Sequence, residues 1–122
     1  MDTRTKIVSD IGAIVSDKRV TLVTGYFDVL RAAHVEALER ACRPDHTLLV
    51  AVRTLPGAIL ALQARAEMVA ALRMVDYVVT GDDRELDSLV SSLNPAQIVR
   101  LEDEDRMRAS ELKQHVQRRQ IC

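Results

Sequence analysis

The chain has 122 residues, of which 48% are apolar and 29% charged, and its formal net charge is −1. This length suits one domain with one core, so residues 1–122 are predicted to form a single domain, and the composition excludes a disordered chain. The near-zero charge gives no general attraction to a polyanion, and no apolar run approaches the roughly 20 residues that cross a bilayer, so we expect a cytoplasmic protein with no nucleic-acid or membrane partner.

Helical and strand patterns alternate along the whole chain. Apolar residues at helical spacing predict helices, and short β-branched or continuous apolar runs predict strands. In chain order the predicted elements are a helix carrying Ile7, Ile11 and Ile14, a strand at 20–24, a helix at 33–43, a strand at 48–52, a long helix at 58–75, a strand at 77–80, a helix at 85–93, a strand at 98–101 and a final helix at 106–119.

Strands that alternate with helices predict an α/β fold, with a parallel sheet of about four to five strands and helices on both faces. Ligands of such sheets bind outside the carboxyl ends of the strands. Functional residues are therefore expected in the loops after Thr24, Val52, Thr80 and Leu101.

The first of these loops has features of a phosphate site. Gly25 follows a strand, and the unpaired N–H groups at the start of the next helix attract anions. The alternative is an ordinary turn glycine with Phe27 buried in the core, and physics alone favours neither. Asp28 is as suited to accepting backbone N–H groups as to contacting a ligand, and we favour the scaffold role.

The segment VTGYFDVLRAAHVEALERA resembles the signature of cytidylyltransferase-like nucleotidyltransferases, G-x-F-D-x-x-H-x-G-H followed by a helix. The stretch from Arg65-Ala66-Glu67 to Asp76-Tyr77-Val78-Val79 and the Asn94-Pro95 turn extend the resemblance to the heptose-phosphate adenylyltransferase domain of bacterial ADP-heptose synthesis. The resemblance implies a Rossmann-like sheet. It also implies a reaction that joins a nucleotide, ATP or CTP, to a phosphorylated small molecule, releasing pyrophosphate with the help of Mg²⁺.

The motif is degenerate in this chain. His34 matches the second motif histidine, whereas Arg31 replaces the first and Ala33 replaces the glycine. The resemblance makes His34 and Arg31 the candidate catalytic residues. A guanidinium can bind ground-state phosphate as firmly as the transition state, so Arg31 is expected to aid binding more than turnover. If Ala33 needs a positive φ, the strain is about 1 to 2 kcal/mol.

Other family features are also changed. No lysine lies between Lys18 and Lys113, so Arg53 is the only candidate to replace the family's phosphate-contacting lysine after the second strand. The run Glu102–Asp105 replaces a lysine- and glycine-containing segment, and it is either a solvated acidic loop or, less favoured, a metal site. Candidate nucleotide-binding residues carried over from the family are Gly25, Tyr26, Phe27, Asp28, Ala33, Arg53, Arg108 and Ser110, although Ser110 is alternatively a helix-start residue.

The remaining polar residues suggest no catalytic pair. His46 is expected in a turn and His115 in the middle of a helix, and Cys42 and Cys122 have neither disulfide nor metal spacing. The long predicted helix has two apolar faces, one with Ile59 and the other with Met68 and Val75. Either both faces are buried within the monomer, or one of them forms a homodimer contact, as the family resemblance also implies.

The sequence leaves three functions open. The favoured one is a protein that binds a nucleotide or phosphorylated small molecule at the loop after the first strand, with transferase turnover weak or lost. The second is an active nucleotidyltransferase that joins a nucleoside triphosphate to a sugar or polyol phosphate. The third is a structural or interaction protein that has kept the fold and lost the ligand.

Overall fold

The computed structural model describes residues 2–9 and 19–103 of the chain. Its regular elements begin with a short 3₁₀ helix and continue as alternating strands and α-helices. They are the 3₁₀ helix Thr3–Lys6, β1 (Arg19–Gly25), α1 (Ala32–Ala41), β2 (His46–Arg53), α2 (Leu62–Ala70), β3 (Tyr77–Gly81), α3 (Asp83–Leu93) and β4 (Gln97–Arg100).

The four strands form one parallel sheet in the order β3-β2-β1-β4. From β1 the chain moves to β2 and β3 on one side of the sheet, and then crosses back so that β4 pairs with the other side of β1. The direction of winding therefore reverses between β1 and β4. In doubly wound sheets the ligand crevice opens at such a reversal, at the carboxyl ends of the strands.

Helices cover both faces of the sheet, so the predicted fold class is confirmed. Val23 and Val50 face α1 and α2, and together with Leu38 and Val69 they belong to the larger buried cluster. The next residues along the strands face the other way. Leu22, Leu49 and Ala51 pack against Leu86 and Leu89 of α3 in a second cluster, as the two-residue period of a strand requires.

The prediction of a long helix at 58–75 is wrong at both ends, since α2 spans only Leu62–Ala70. Before α2, the backbone N–H groups of Ile59 and Leu60 donate to the carboxylate of Asp28, each at 2.9 Å, which holds this segment outside the helix. After Ala70 the chain makes a turn, in which the N–H of Leu72 donates to the carbonyl of Val69 at 3.1 Å. Of the described helices, α3 is therefore the longest.

The N-terminal prediction is also wrong where the structure describes it. Ile7 is not helical. It forms an isolated parallel bridge with Val78, and the N–H of Val8 donates to the carbonyl of Val78 at 2.9 Å, so this segment runs along the outer edge of β3. Ile11, Ile14 and the predicted final helix at 106–119 lie outside the described residues. Within the described part of the chain, no helix is long and apolar enough to span a membrane.

Candidate functional site

The loop after β1 makes its tight turn at Phe27 and not at Gly25. Gly25 is the last residue of β1 and pairs with Val52 of β2. Phe27 has a φ of 50°, in the left-handed region that bulky residues rarely occupy, and its side chain is 1% exposed within the larger core cluster. Burial of the ring holds the backbone in this conformation, so Phe27 fixes the course of the loop from inside.

Asp28 and Arg65 join this loop to the segment after β2. While Asp28 accepts the two N–H groups that precede α2, the buried guanidinium of Arg65 donates to three backbone carbonyls. Its Nη1 contacts the carbonyl of Tyr26 at 2.7 Å and that of Arg53 at 2.9 Å, and its Nε contacts the carbonyl of Leu60 at 3.1 Å. Burial lowers the pKa of Arg65, and the nearby Asp28 carboxylate opposes that shift.

The role of Arg65 was not predicted from the sequence. It lies on the buried face of α2 beside Ala66 and is only 2% exposed. The sequence does hold one clue to this role: Arg65 lies next to the apolar residues of a helix. Charged residues are rarely fully buried without partners, so a charge at such a position indicates a specific set of hydrogen bonds.

Arg31 and His34 form the start of α1. Arg31 is the extended N-cap residue, and its N–H donates to Nδ1 of His34 at 3.0 Å. Because Nδ1 accepts this bond, the neutral imidazole carries its proton on Nε2. His34 is 5% exposed, and its ring centroid lies 5.3 Å from that of Phe27. The structure therefore brings Phe27, Arg31 and His34 together at one corner.

Ala33 does not have the backbone strain considered for it. It is the second residue of α1 and is right-handed helical, so its Cβ meets no left-handed penalty.

Arg53, the candidate replacement for the family lysine, already has anionic partners. Its Nη1 lies 3.1 Å from Oε1 of Glu102, and its Nη2 pairs with Oδ1 of Asp83. Its Cζ also lies 5.5 Å from the centroid of the Tyr26 ring, within cation–π range. Its charge is therefore offset by two carboxylates at the carboxyl end of β2.

The described part of the acidic run, residues 102 and 103, is helical and not a loop. Glu102 is 7% exposed and paired with Arg53, whereas Asp103 is exposed to solvent. Among the residues that the structure describes, no three His, Cys, Asp or Glu side chains are grouped to hold a metal ion. The remaining candidates Arg108 and Ser110, and the acidic residues 104 and 105, lie outside the described ranges.

His46 and Cys42 lie away from these loops. His46 is the first residue of β2 and not a turn residue, and its Nδ1 lies 2.7 Å from Oγ1 of Thr21 at the amino end of the sheet. Cys42 is an exposed free thiol just after α1.

Comparisons with known proteins indicate the family to which the chain belongs. The family model described as cytidylyltransferase-like matches residues 22–121, which is most of the chain. The chain belongs to the cytidylyltransferase-like family. The resemblance seen in the sequence motif is thus confirmed, and the nucleotidyltransferase-like assignment applies to the β1 loop, the sheet and the helices described above.

Individual relatives fit the same assignment. The chain is 37% identical over 90 residues to the bifunctional protein HldE of Coxiella burnetii (strain RSA 493 / Nine Mile phase I), covering 66% of this chain and 19% of that protein. It is 36% identical over 93 residues to HldE of Geobacter sulfurreducens, covering 68% and 19%. The chain thus spans about a fifth of the length of these relatives.

A solved structure shares the fold. The lipopolysaccharide core biosynthesis protein from Thermoplasma volcanium GSS1 superimposes with a TM-score of 0.59 at 22% identity, covering 66% of this chain and 71% of that one.

Proposed function

We propose that this family member binds a nucleotide or another phosphorylated small molecule at the loop after β1, between Gly25 and His34, and that its transferase turnover is weak or lost. Family membership and the position of this loop beside the β1–β4 reversal support the binding site. The helix start adds to this support, since N–H groups at the beginning of α1 carry partial positive charge that favours an anion.

The pairing of Arg53 with Glu102 and Asp83 is the observation that carries the proposed loss of turnover. Nucleotidyl transfer depends on cations and donors that stabilise charge on the phosphoryl group in transit. Arg53 is the only Lys or Arg between Pro44 and Leu62, so no second cation in that segment can replace it. A triphosphate must compete with two carboxylates for its guanidinium.

The altered motif also favours a loss of transferase turnover. With Arg31 in place of the first histidine, the donor at this position is charged throughout and binds ground-state phosphate as well as the transition state. Loss of one well-placed donor typically slows such reactions by on the order of 10² to 10³. His34 is the remaining motif histidine, and we assign it the contact with the phosphates.

Mg²⁺ is expected to arrive with the nucleotide if it takes part. Magnesium is usually held by one or two carboxylates together with substrate phosphates. The described carboxylates near the loop do not fit a ready-made site, because Asp28 accepts two backbone N–H groups and Glu102 and Asp83 are paired with Arg53. No three His, Cys, Asp or Glu side chains among the residues described are grouped to hold a metal ion.

Calorimetric titration with ATP and CTP, with and without Mg²⁺, tests the binding proposal directly. We expect binding of at least one nucleotide, and binding of none would favour a structural or interaction protein. A pyrophosphate-release assay with sugar and polyol phosphates tests turnover separately. Release at an ordinary enzymatic rate would favour the alternative, an active nucleotidyltransferase acting on such a phosphate, and would contradict the proposed loss.

A further inference from the structure

The two outer edges of the sheet differ in length and charge. β4 forms one edge, is only four residues long and ends at the exposed Arg100. β3 forms the other edge, and its sequence, YVVTG at Tyr77–Gly81, contains no charged residue. An uncharged, β-branched edge strand is a ready template for pairing with another chain, whereas short length and charge protect a strand from such pairing. β3 is therefore the edge that is open to pairing.

Residues 3–8, which we call the N-terminal strap, lie along the outer edge of β3. Ile7 forms a parallel bridge with Val78, and the N–H of Val8 donates to the carbonyl of Val78 at 2.9 Å. Among the described residues, no named strand other than β2 pairs with β3. The strap thus occupies a backbone acceptor that a strand of another chain would otherwise use.

The strap buries little surface. No residue of the 3₁₀ helix Thr3–Lys6 is buried, although Nζ of Lys6 donates to the carbonyl of Leu72 at 3.0 Å. Ile7 and Val8 are half-buried, one at the margin of the larger core cluster and the other at the margin of the second, so they lie on opposite faces of the sheet. A segment with so little buried apolar surface opens locally at a free energy well below that of global unfolding.

We propose that the strap competes with a second copy of this chain for the outer edge of β3. When the strap opens, β3 of one copy pairs with β3 of another about a two-fold axis, which brings identical edges together. Like charges that face each other destabilise a strand pair, and Tyr77–Gly81 carries no charge that would oppose this pairing. The affinity of the pairing is reduced by the fraction of molecules whose strap is open. The strap is thus an autoinhibitory contact that acts on self-association and requires no nucleotide.

The test removes the strap's backbone hydrogen bond in the full chain. Val8→Pro deletes the N–H that donates to Val78, and Ile7 before it is already extended, as the residue before a proline requires. We expect the association constant from sedimentation equilibrium to rise about tenfold over that of the unaltered protein, as for a strap that leaves about a tenth of the molecules open. Hydrogen exchange should show the amides of residues 77–81 becoming more protected as the protein concentration rises.

Two further variants complete this test. Thr3→Pro is the matched control, because Thr3 is the first residue of the 3₁₀ helix, where proline is tolerated, and it should associate like the unaltered protein. Ile7→Ser removes an apolar anchor of the strap, keeps the backbone N–H groups and should act like Val8→Pro. The proposal is overturned if neither variant associates more strongly than Thr3→Pro, or if stronger association leaves residues 77–81 unprotected. Failure of both variants to fold would make the strap part of the core and would overturn it as well.

Discussion

At the scale of single residues, Arg53 could be named from the sequence as a candidate phosphate contact, but its carboxylate partners could not be predicted. The sequence shows a lone cation after β2, but Glu102 is separated from it by 49 residues and approaches it only because β4 returns to pair with β1. From the sequence alone, a run of charged residues near a strand end is interpreted as a solvated loop, because the strand order that brings partners to it is not known. Pairing of this kind is a property of the topology and not of the local pattern.

Substitution of Glu102 by Gln tests whether this pairing limits phosphate binding. Glu102→Gln keeps the shape and a hydrogen-bond acceptor near Nη1 of Arg53 while removing a charge, so Arg53 becomes more available to an anionic ligand. We expect the affinity for ATP or inorganic pyrophosphate to rise about three- to tenfold, which corresponds to about 1 kcal/mol, typical of a partly exposed charge pair. Calorimetry against Asp103→Asn, the neighbouring exposed carboxylate, provides the control. A lower affinity in Glu102→Gln would show that the carboxylate helps the ligand.

A second prediction at the residue scale concerns the structural role of Arg65. Arg65→Met preserves much of the side-chain length and leaves the carbonyls of Tyr26, Arg53 and Leu60 without their donor. We expect the free energy of unfolding to fall by about 2 to 4 kcal/mol, since unpaired buried carbonyls are costly. Urea denaturation measures the change, and Arg84→Met on the exposed face of α3 should alter stability little. Equal stability of the two variants would remove the structural role assigned to Arg65.

At the scale of elements, the positions of the strands could be predicted from the sequence, but the ends of the helices could not. The four predicted strands overlap β1 to β4, because buried parallel strands appear as continuous apolar runs. The start of α2 was missed since the residues before it, Ala58 to Ala61, are good helix formers by composition alone. Asp28, distant in sequence, holds Ile59 and Leu60 in a different conformation, and this override of local propensity cannot be seen in that segment.

The anchoring role of Asp28 can be measured with a graded pair of variants. Asp28→Asn keeps one acceptor oxygen for the two N–H groups, and Asp28→Ala keeps none. We expect stability losses of about 0.5 to 1 and about 1 to 2 kcal/mol respectively, comparable with removing a helix cap. Chemical denaturation gives these values, with Asp45→Ala, exposed in the turn before β2, as the control. Identical losses for Asn and Ala would show that the carboxylate charge, and not the hydrogen bonding, is what matters.

At the scale of the whole molecule, the alternation of helices and strands was sufficient for the parallel sheet and its helices on both faces. It did not give the strand order, which depends on where the chain crosses back after β3. The turn at Phe27 could not be predicted from the sequence either. The sequence indicated a turn at Gly25, because glycine has no steric cost at positive φ. Burial of the aromatic ring outweighs that local preference.

The homodimer remains a proposal, and the exposed apolar side chains indicate which surface would form the contact. Val75, from the second apolar face predicted for the long helix, is buried in the monomer core, whereas Met68 on α2 and Ile59 before it are 38% and 63% exposed. If these side chains form the contact, sedimentation equilibrium should show a dimer that Met68→Glu weakens by at least about tenfold, while Arg73→Glu, just beyond α2, leaves the association unchanged. A monomer at all concentrations would rule out the dimer.

The most direct test of the nucleotide site compares ATP binding by the unaltered protein and by His34→Gln. Glutamine is also favoured at the third position of a helix, where it can accept the N–H of Arg31, so this variant should retain the start of α1 and the fold while removing the imidazole. Calorimetry should give measurable ATP affinity for the unaltered chain and at least about tenfold weaker binding for His34→Gln, with unchanged unfolding. Equal affinity in the two proteins would place the nucleotide elsewhere and contradict the account.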